Sequence, residues 1–283
     1  MRKLLLLLLV LASCSNPDRI VIGSKNFTEQ VILGELLAQE IESKTGLTVD
    51  RRLNLGGTLI CHQAMVAGQL DMYVEYTGTA LTAILKEPPS YDSAQVYEKV
   101  RAAYRDQFHI EWTEPLGFNN TFAIIVRSAD AGKLNIKTIS DAAPYTQKWT
   151  AGFGYEFVER EDGYAGLRKL YALQFPAPPR VMDLGLTYRA LADGQVDLIA
   201  GNSTDGLIET LKLSALEDDK HYFPPYDAVP LIREETLQKH PEIRQVLKDI
   251  GGKISEQQMR RLNYLVDGEH RDVKEVVRSF LNP

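Results

Sequence analysis

Hydrophobic and polar positions along the chain alternate between short strand-like runs and longer helix-like stripes. The run "RIVIGS" (19–24) is β-branched, and over 27–44 leucine and isoleucine recur on one helical face. A further strand-like run, a glycine turn, a helix from about Leu59 and the strand "LDMYVEY" follow. This order predicts an α/β fold with mostly parallel sheets flanked by helices. Asn26, with Glu29 three residues later, predicts a capping box for the first helix.

Part of this pattern is repeated in the second half of the chain. The segment "AMVAGQLDMYVEYTGT" (64–79) aligns without a gap with "ALADGQVDLIAGNSTD" (190–205), which places Tyr76 opposite Asn202. Ligands of open parallel sheets bind beyond the carboxyl ends of the strands. We therefore predict two related lobes, with Tyr76 and Asn202 at equivalent strand ends facing a common cleft.

Two stretches lie near the predicted lobe boundaries. The stretch "LGFNNTFAIIV" (116–126) leads into the second lobe, and "YFPPYDAVPLI" (222–232) leads out of it. Two crossings predict a two-strand hinge at the back of the cleft. We assign residues 19–120 and 227–283 to lobe 1 and residues 121–226 to lobe 2.

The N-terminus has the features of an export signal. Residues 1–13, "MRKLLLLLLVLAS", combine a charged start, an apolar run and small residues. The run is far shorter than the ~20 residues that span a bilayer. Because "LASC" resembles the bacterial lipobox, we predict a signal peptide over 1–13 and a lipid on Cys14, which would anchor an exported protein to the periplasmic or extracellular face of the cell membrane. The alternative is an ordinary secretory signal with a chance cysteine.

Charge and cysteine content narrow the class of protein. The formal net charge is −6, and it becomes −8 when Arg2 and Lys3 leave with the signal peptide. This balance argues against nucleic acid, whose binding depends on clustered basic residues. If Cys14 is lipidated, Cys61 is the one remaining thiol and no intramolecular disulfide can form.

Motifs for enzymes and metal sites match poorly. "GNSTDG" (201–206) is close to the G-x-S-x-G nucleophile elbow, but its second glycine is one place too late. "GFGYEF" (152–157) lacks the third glycine of a dinucleotide turn. Cys61 and His62 are adjacent, and the other histidines are scattered. The sequence predicts no enzyme, no cofactor and no metal site.

Seven motifs, in order, resemble one family. "IGSKNFTEQ", "GGT", "DMYVEYTGT", "PLGFNNTFA", "EFVEREDGY", "STDG" and "FPPYDAVPL" resemble the glycine betaine/carnitine/choline-binding proteins of bacterial osmoprotectant ABC importers, from about residue 19 to residue 267. The resemblance implies a two-lobe periplasmic-binding-protein fold of type II. It also implies a receptor that hands a quaternary ammonium ligand to a membrane permease and its ATPase. The alternatives are a receptor for another zwitterion such as ergothioneine, and a sensory ligand-binding protein.

The resemblance also implies an aromatic cage. A trimethylammonium group has no N–H to donate, so it is held over aromatic faces, each worth ~0.5–2 kcal/mol. Tyr76 and Tyr226 match cage tyrosines of the family, with Thr79 one turn beyond Tyr76. Phe122 stands where the family usually has tyrosine and keeps a ring face. Asn202 stands where a ring is often found, and we predict that it contacts a polar group of the ligand.

Four further candidates have a structural and a ligand-binding interpretation. Asn120 is either an Asx turn in the crossover or a ligand contact. Ser24 and Thr28 flank a helix start, where they cap the helix or help to receive a ligand carboxylate. Arg160 belongs to a solvated helix start or clamps a carboxylate.

Overall fold

The structure is a computed structural model that describes residues 19–282. The predicted signal peptide and Cys14 lie outside the described residues. The strands are β1 (Arg19–Lys25), β2 (Thr48–Gly56), β3 (Met72–Tyr76), β4 (Ile110–Trp112), β5 (Phe122–Arg127), β6 (Ala151–Phe153), β7 (Arg180–Val181), β8 (Leu198–Asn202), β9 (Leu213–Leu216) and β10 (Ala228–Arg233).

Short and long helices connect these strands. The α-helices are α1 (Thr28–Thr45), α2 (Thr58–Val66), α3 (Thr77–Thr79), α4 (Ser93–Phe108), α5 (Ser128–Leu134), α6 (Ile139–Ala142), α7 (Tyr155–Glu159), α8 (Tyr164–Tyr171), α9 (Leu184–Ala192), α10 (Leu207–Thr210), α11 (Glu234–Lys239), α12 (Ile243–Ile250), α13 (Glu256–Asp267) and α14 (Val273–Leu281). A π-helical turn at Ala80–Ile84 continues α3, and a 3-10 turn at Ala143–Lys148 continues α6.

The strands form two five-stranded sheets with the same topology. The orders are β2-β1-β3-β10-β4 and β7-β6-β8-β5-β9. In the first sheet β10 runs antiparallel to both neighbours, and in the second β5 does the same. The other four strands of each sheet run in one direction. The predicted α/β fold with mostly parallel sheets is confirmed.

The internal repeat is confirmed at the level of single hydrogen bonds. Helix α9 corresponds to α2, and strand β8 corresponds to β3. In both pairs the first and last residues are separated by the same number of positions along the chain. Asp71 accepts from the Val21 N–H at 2.8 Å, and its counterpart Asp197 accepts from the Thr150 N–H at 2.9 Å. Tyr76 and Asn202 end β3 and β8, so they occupy equivalent strand ends.

The two segments that cross between the sheets pair with each other. Asn119 and Asp227 form an antiparallel bridge, and the Asn120 N–H donates to the Tyr226 carbonyl at 3.0 Å. Chain entry and exit are therefore tied together at the back of the cleft. Where the lobes pivot within this pair, including the boundaries at 120/121 and 226/227, stays a prediction.

The start of α1 differs from the expectation. The helix begins at Thr28 after Phe27, and no side chain caps it. The capping box predicted for Asn26 and Glu29 is therefore wrong. Glu29 instead lies on the buried face of α1, where it is 2% exposed. Helix α1 as a whole packs against β1, β2, α12, α13 and α14. Within residues 19–282, no helix has both the length and the apolar character that crossing a membrane requires.

Candidate functional site

A cleft lies between the two sheets, at the carboxyl ends of β3 and β8 and in front of the crossing segments. Its volume is about 110 Å³, somewhat less than the roughly 150 Å³ of an engineered protein cavity that binds benzene. The cleft is therefore on the scale of one small molecule. Seven of the nine residues predicted for the ligand site line it: Tyr76, Thr79, Asn120, Phe122, Arg160, Asn202 and Tyr226.

The other two predicted residues, Ser24 and Thr28, do not line the cleft. The Ser24 hydroxyl accepts from the Asn54 N–H at 2.8 Å and donates to the Lys25 carbonyl. The Thr28 hydroxyl donates to Asp267 at 2.6 Å. Both side chains are thus engaged within the protein around the start of α1.

Aromatic rings stand on both sides of the cleft. On one side Phe27 stacks on Tyr76, with ring centroids 6.4 Å apart. On the other side the Phe122 ring meets the edges of Phe157 and Tyr226 at 4.9 and 5.8 Å. Tyr76 and Tyr226 are almost fully buried, so their positions are set by packing.

Each of these tyrosines donates its hydroxyl to a buried carboxylate. Tyr76 donates to Glu29 at 2.6 Å, and Tyr226 donates to Asp162 at 2.7 Å. Burial and the neighbouring carboxylate raise the pKa of both tyrosines well above the usual value. The two phenols therefore stay protonated, and the hydrogen bonds fix the orientation of their rings.

Glu29 is the centre of a buried cluster that joins both lobes. One oxygen accepts from Tyr76 and from the Asn120 amide at 2.7 Å. The other accepts from Thr204 at 2.5 Å and from the Asn263 amide at 3.1 Å. Burial raises the pKa of Glu29, while the four donors oppose this shift. Because Thr204 follows β8 of the second sheet and Glu29 lies in the first turn of α1, the cluster connects the two lobes.

Sequence analysis missed the role of Glu29, although the sequence contains a signal for it. Glu29 stands four and eight positions before Leu33 and Leu37, so it belongs to the apolar stripe of α1. A charged residue on a buried stripe requires partners. The capping interpretation hid this requirement.

Two protein cations contact the cage rings. The Arg160 guanidinium carbon lies 5.1 Å from the centroid of Phe122, and the Lys25 ammonium lies 4.7 Å from that of Tyr76. Arg160 is bound by both oxygens of Asp162 at 2.8 and 2.5 Å. Lys25 pairs with Glu75 at 2.5 Å. The charge of each cation is therefore balanced by a buried carboxylate.

A second contact between the lobes lies at the start of α2. Glu156, which belongs to α7 of lobe 2, accepts from the Thr58 backbone N–H at 2.6 Å. A side chain at Gly57 would collide with this carboxylate, since a Cβ there would lie 2.1 Å from it. The "GGT" turn thus allows the backbone of lobe 1 to approach the Glu156 carboxylate of lobe 2 closely.

Asn202 ends β8 beside Phe122, its partner across the strand pair. Its backbone N–H donates to Asp205 at 3.2 Å. Burial, with the nearby negative charge of Glu29, raises the pKa of Asp205 to about 7. Asn202 is half-buried and lines the cleft, and its side-chain nitrogen donates to Asp205 at 3.5 Å, which leaves the amide oxygen for a ligand.

Residues 18–283 match the OpuAC family, the substrate-binding domain of ABC-type glycine betaine transport systems. The chain belongs to this family. OpuAC proteins are solute-binding receptors that bind small ligands and work with a permease and an ATPase. The homologues are extracytoplasmic.

Individual OpuAC relatives differ in the ligand for which they are named. The carnitine transport binding protein OpuCC of Listeria monocytogenes is 40% identical, over 96% of this chain and 91% of its own length. The ergothioneine transport permease/ergothioneine binding protein EgtU of Helicobacter pylori is 36% identical, over 93% of this chain and 47% of its own length.

A solved structure of the same class shows the same fold. The crystal structure of a glycine betaine/carnitine/choline ABC transporter superposes with a TM-score of 0.78 at 34% identity, over 93% of this chain and 97% of the other. The two-lobe architecture described above is therefore that of the OpuAC substrate-binding proteins.

Proposed function

We propose that this OpuAC protein captures a zwitterion with a trimethylammonium group, of the carnitine and glycine betaine class, and closes its lobes on it. The strongest support for this ligand class is the charge balance of the cleft. Its cations Lys25 and Arg160 are both paired with carboxylates. Glu156 and Asp183, which also line the cleft, instead accept from the backbone N–H groups of Thr58 and Gly185. The excess charge is negative, which favours a cationic group on the ligand.

The ring geometry supports the same class of ligand. Tyr76, Phe122 and Tyr226 line one cleft, and each face that meets a cation contributes ~0.5–2 kcal/mol. Three such contacts plus apolar burial approach the ~8 kcal/mol of micromolar binding. Lys25 lies over the Tyr76 ring and Arg160 near the Phe122 and Tyr226 rings, which supports the ability of these rings to attract a cation.

Lobe closure follows from the same contacts. Glu29 with Thr204, and Glu156 with Thr58, bridge the lobes on either side of the cleft. A ligand that touches both lobes only when these bridges form stabilises the closed state by its differential affinity. The open state then delivers the ligand to the permease.

A second candidate ligand is ergothioneine. Asn202 replaces a cage ring with an amide, which offers one acceptor and two donors. The similarity to EgtU supports a zwitterion with a polar ring beside its trimethylammonium.

Mass spectrometry of the small molecules released by denaturing purified protein tests the proposal directly. We expect a trimethylated zwitterion. Calorimetric titration with carnitine, ergothioneine, glycine betaine and choline should then give micromolar or tighter binding for at least one of them. Absence of binding to all four would refute the proposed ligand class.

We further propose that Cys14 carries a lipid that anchors the protein. The "LASC" sequence supports this. The Cys14→Ser variant, produced in a bacterial host, should move from the membrane fraction to the soluble fraction, because a serine cannot receive the thioether-linked lipid. Fractionation and immunoblotting measure the shift. A variant that still sediments with membranes would show that the anchor lies elsewhere.

The Asn202→Tyr variant tests whether Asn202, which stands where related proteins often have a ring, determines ligand selectivity. The substitution restores a π face at the end of β8, so the affinity for glycine betaine or choline should rise about two- to ten-fold, by ~0.5–1.4 kcal/mol. Affinity for the natural ligand should fall, because its polar group loses the amide. Both proteins are titrated with both ligands. Weaker binding of every ligand by the variant would make Asn202 a packing residue.

A further inference from the structure

Asn120 has one side-chain atom that the protein leaves without a partner. The residue lines the cleft and is 5% exposed. Its amide nitrogen donates to Glu29 at 2.7 Å. Its amide oxygen is buried and accepts from no donor among residues 19–282. Buried acceptors without donors are uncommon in native proteins, because each costs free energy.

Glu29 determines which way this amide faces. The carboxylate is surrounded by donors and presents oxygen to Asn120. A reversed Asn120 amide would bring two acceptor oxygens together. The nitrogen therefore stays on Glu29, and the oxygen is held on the opposite side of the amide.

Position distinguishes Asn120 from similar groups. Asn263 also binds Glu29 through its nitrogen and also has a buried oxygen without a donor among the described residues. Asn263 does not line the cleft, whereas Asn120 does. A ligand in the cleft can therefore supply the missing donor to Asn120.

Ligands of the proposed class differ in their ability to donate. A trimethylammonium group has no N–H, and a carboxylate is an acceptor only. Glycine betaine consists of these two groups and a methylene, so it has nothing to offer the Asn120 oxygen. Carnitine has a hydroxyl in addition, and ergothioneine has a ring N–H.

We propose that the Asn120 side-chain oxygen accepts a hydrogen bond from the ligand, and that the cleft thereby selects quaternary ammonium compounds with an uncharged O–H or N–H donor. This inference rests on the proposed function and narrows its substrate class. A site built to accept from a hydroxyl discriminates against the analogue that lacks it, because the acceptor then stays buried and unpaired.

A matched pair of ligands isolates this one hydrogen bond. γ-Butyrobetaine is carnitine without its hydroxyl, with the same trimethylammonium group and carboxylate. Calorimetry on the wild-type protein should show about ten-fold tighter binding of carnitine. In Asn120→Ala the ratio should fall below about two-fold, because the acceptor is gone. Asn263→Ala, which loses the same kind of contact to Glu29 outside the cleft, should weaken both ligands equally and keep the wild-type ratio.

The outcomes separate this inference from the proposed function. Equal binding of both ligands by the wild-type protein would overturn the role of Asn120 while the ligand class stands. An unchanged ratio in a folded Asn120→Ala would do the same. If the wild-type protein binds neither of these two ligands, this inference falls, whereas the quaternary ammonium class falls only if ergothioneine, glycine betaine and choline also fail to bind. The wild-type ratio requires no variant, so a folding defect in Asn120→Ala leaves the test decisive.

Discussion

Replacing Lys25 with methionine should lower the free energy of unfolding by about 3–5 kcal/mol, the usual cost of removing one partner of a buried ion pair. Lys25 and Glu75 are 2% and 0% exposed, and their charged atoms lie 2.5 Å apart. Without Lys25, the Glu75 carboxylate keeps, among the residues that the structure describes, only the Tyr73 hydroxyl and the Tyr76 N–H. Urea denaturation of the ligand-free protein measures the loss.

Two controls identify the cause of this loss. Lys99→Met removes the same side chain from an exposed pair with Glu87, where the expected cost is only ~0–1 kcal/mol. The double variant Lys25→Met with Glu75→Gln removes both charges of this pair, so no carboxylate is left buried without its cation, and it should recover more than half of the lost stability. If the single variant loses less than about 1 kcal/mol, the pair does not hold this part of the site together.

The fold could be predicted because its signals are local. The period of the apolar residues distinguishes strands from helices, and the glycine turns mark where each element ends. The gapless match of 64–79 with 190–205 predicted equivalent strand ends for Tyr76 and Asn202, and the structure places them there. A repeated motif retains its register because a slip by one residue would turn every strand side chain to the other face.

The partners of the site residues could not be predicted, because they come from distant parts of the chain. Glu29 accepts from Thr204 and Asn263, which follow it by 175 and 234 positions. Arg160 and Phe122 meet because the part of lobe 2 that separates them along the chain folds back on itself. Residue types and spacing identify candidates, but which donor meets which acceptor depends on how two lobes close.

The partners that the structure gives to the cage residues change how the aromatic cage is interpreted. Sequence reasoning treats the rings as free surfaces for the ligand. In the structure Tyr76 and Tyr226 are each held between a carboxylate at the hydroxyl and a protein cation near the ring face. The rings are thus preorganised by charged neighbours before any ligand binds, which reduces the ordering cost of binding.

Replacing Tyr226 or Tyr76 with alanine should therefore weaken binding of a quaternary ammonium ligand by about ten-fold or more, a loss of at least ~1.4 kcal/mol. Each variant removes a ring that lines the cleft. Tyr145→Ala, in a residue that does not line the cleft, should leave affinity unchanged.

The phenylalanine variants separate the ring from its hydroxyl. Tyr226→Phe keeps the π face but loses the hydrogen bond to Asp162, so it should lose only a few-fold in affinity, because the ring contact with the cation outweighs the net effect of one hydroxyl. Calorimetry with a ligand that the wild-type protein binds gives the comparison, with thermal melting to establish that each variant is folded. If the alanine variants bind as tightly as wild type, Tyr226 and Tyr76 are packing residues. If the phenylalanine variant loses as much as the alanine variant, the hydroxyl and its carboxylate, and not the ring face, hold the ligand.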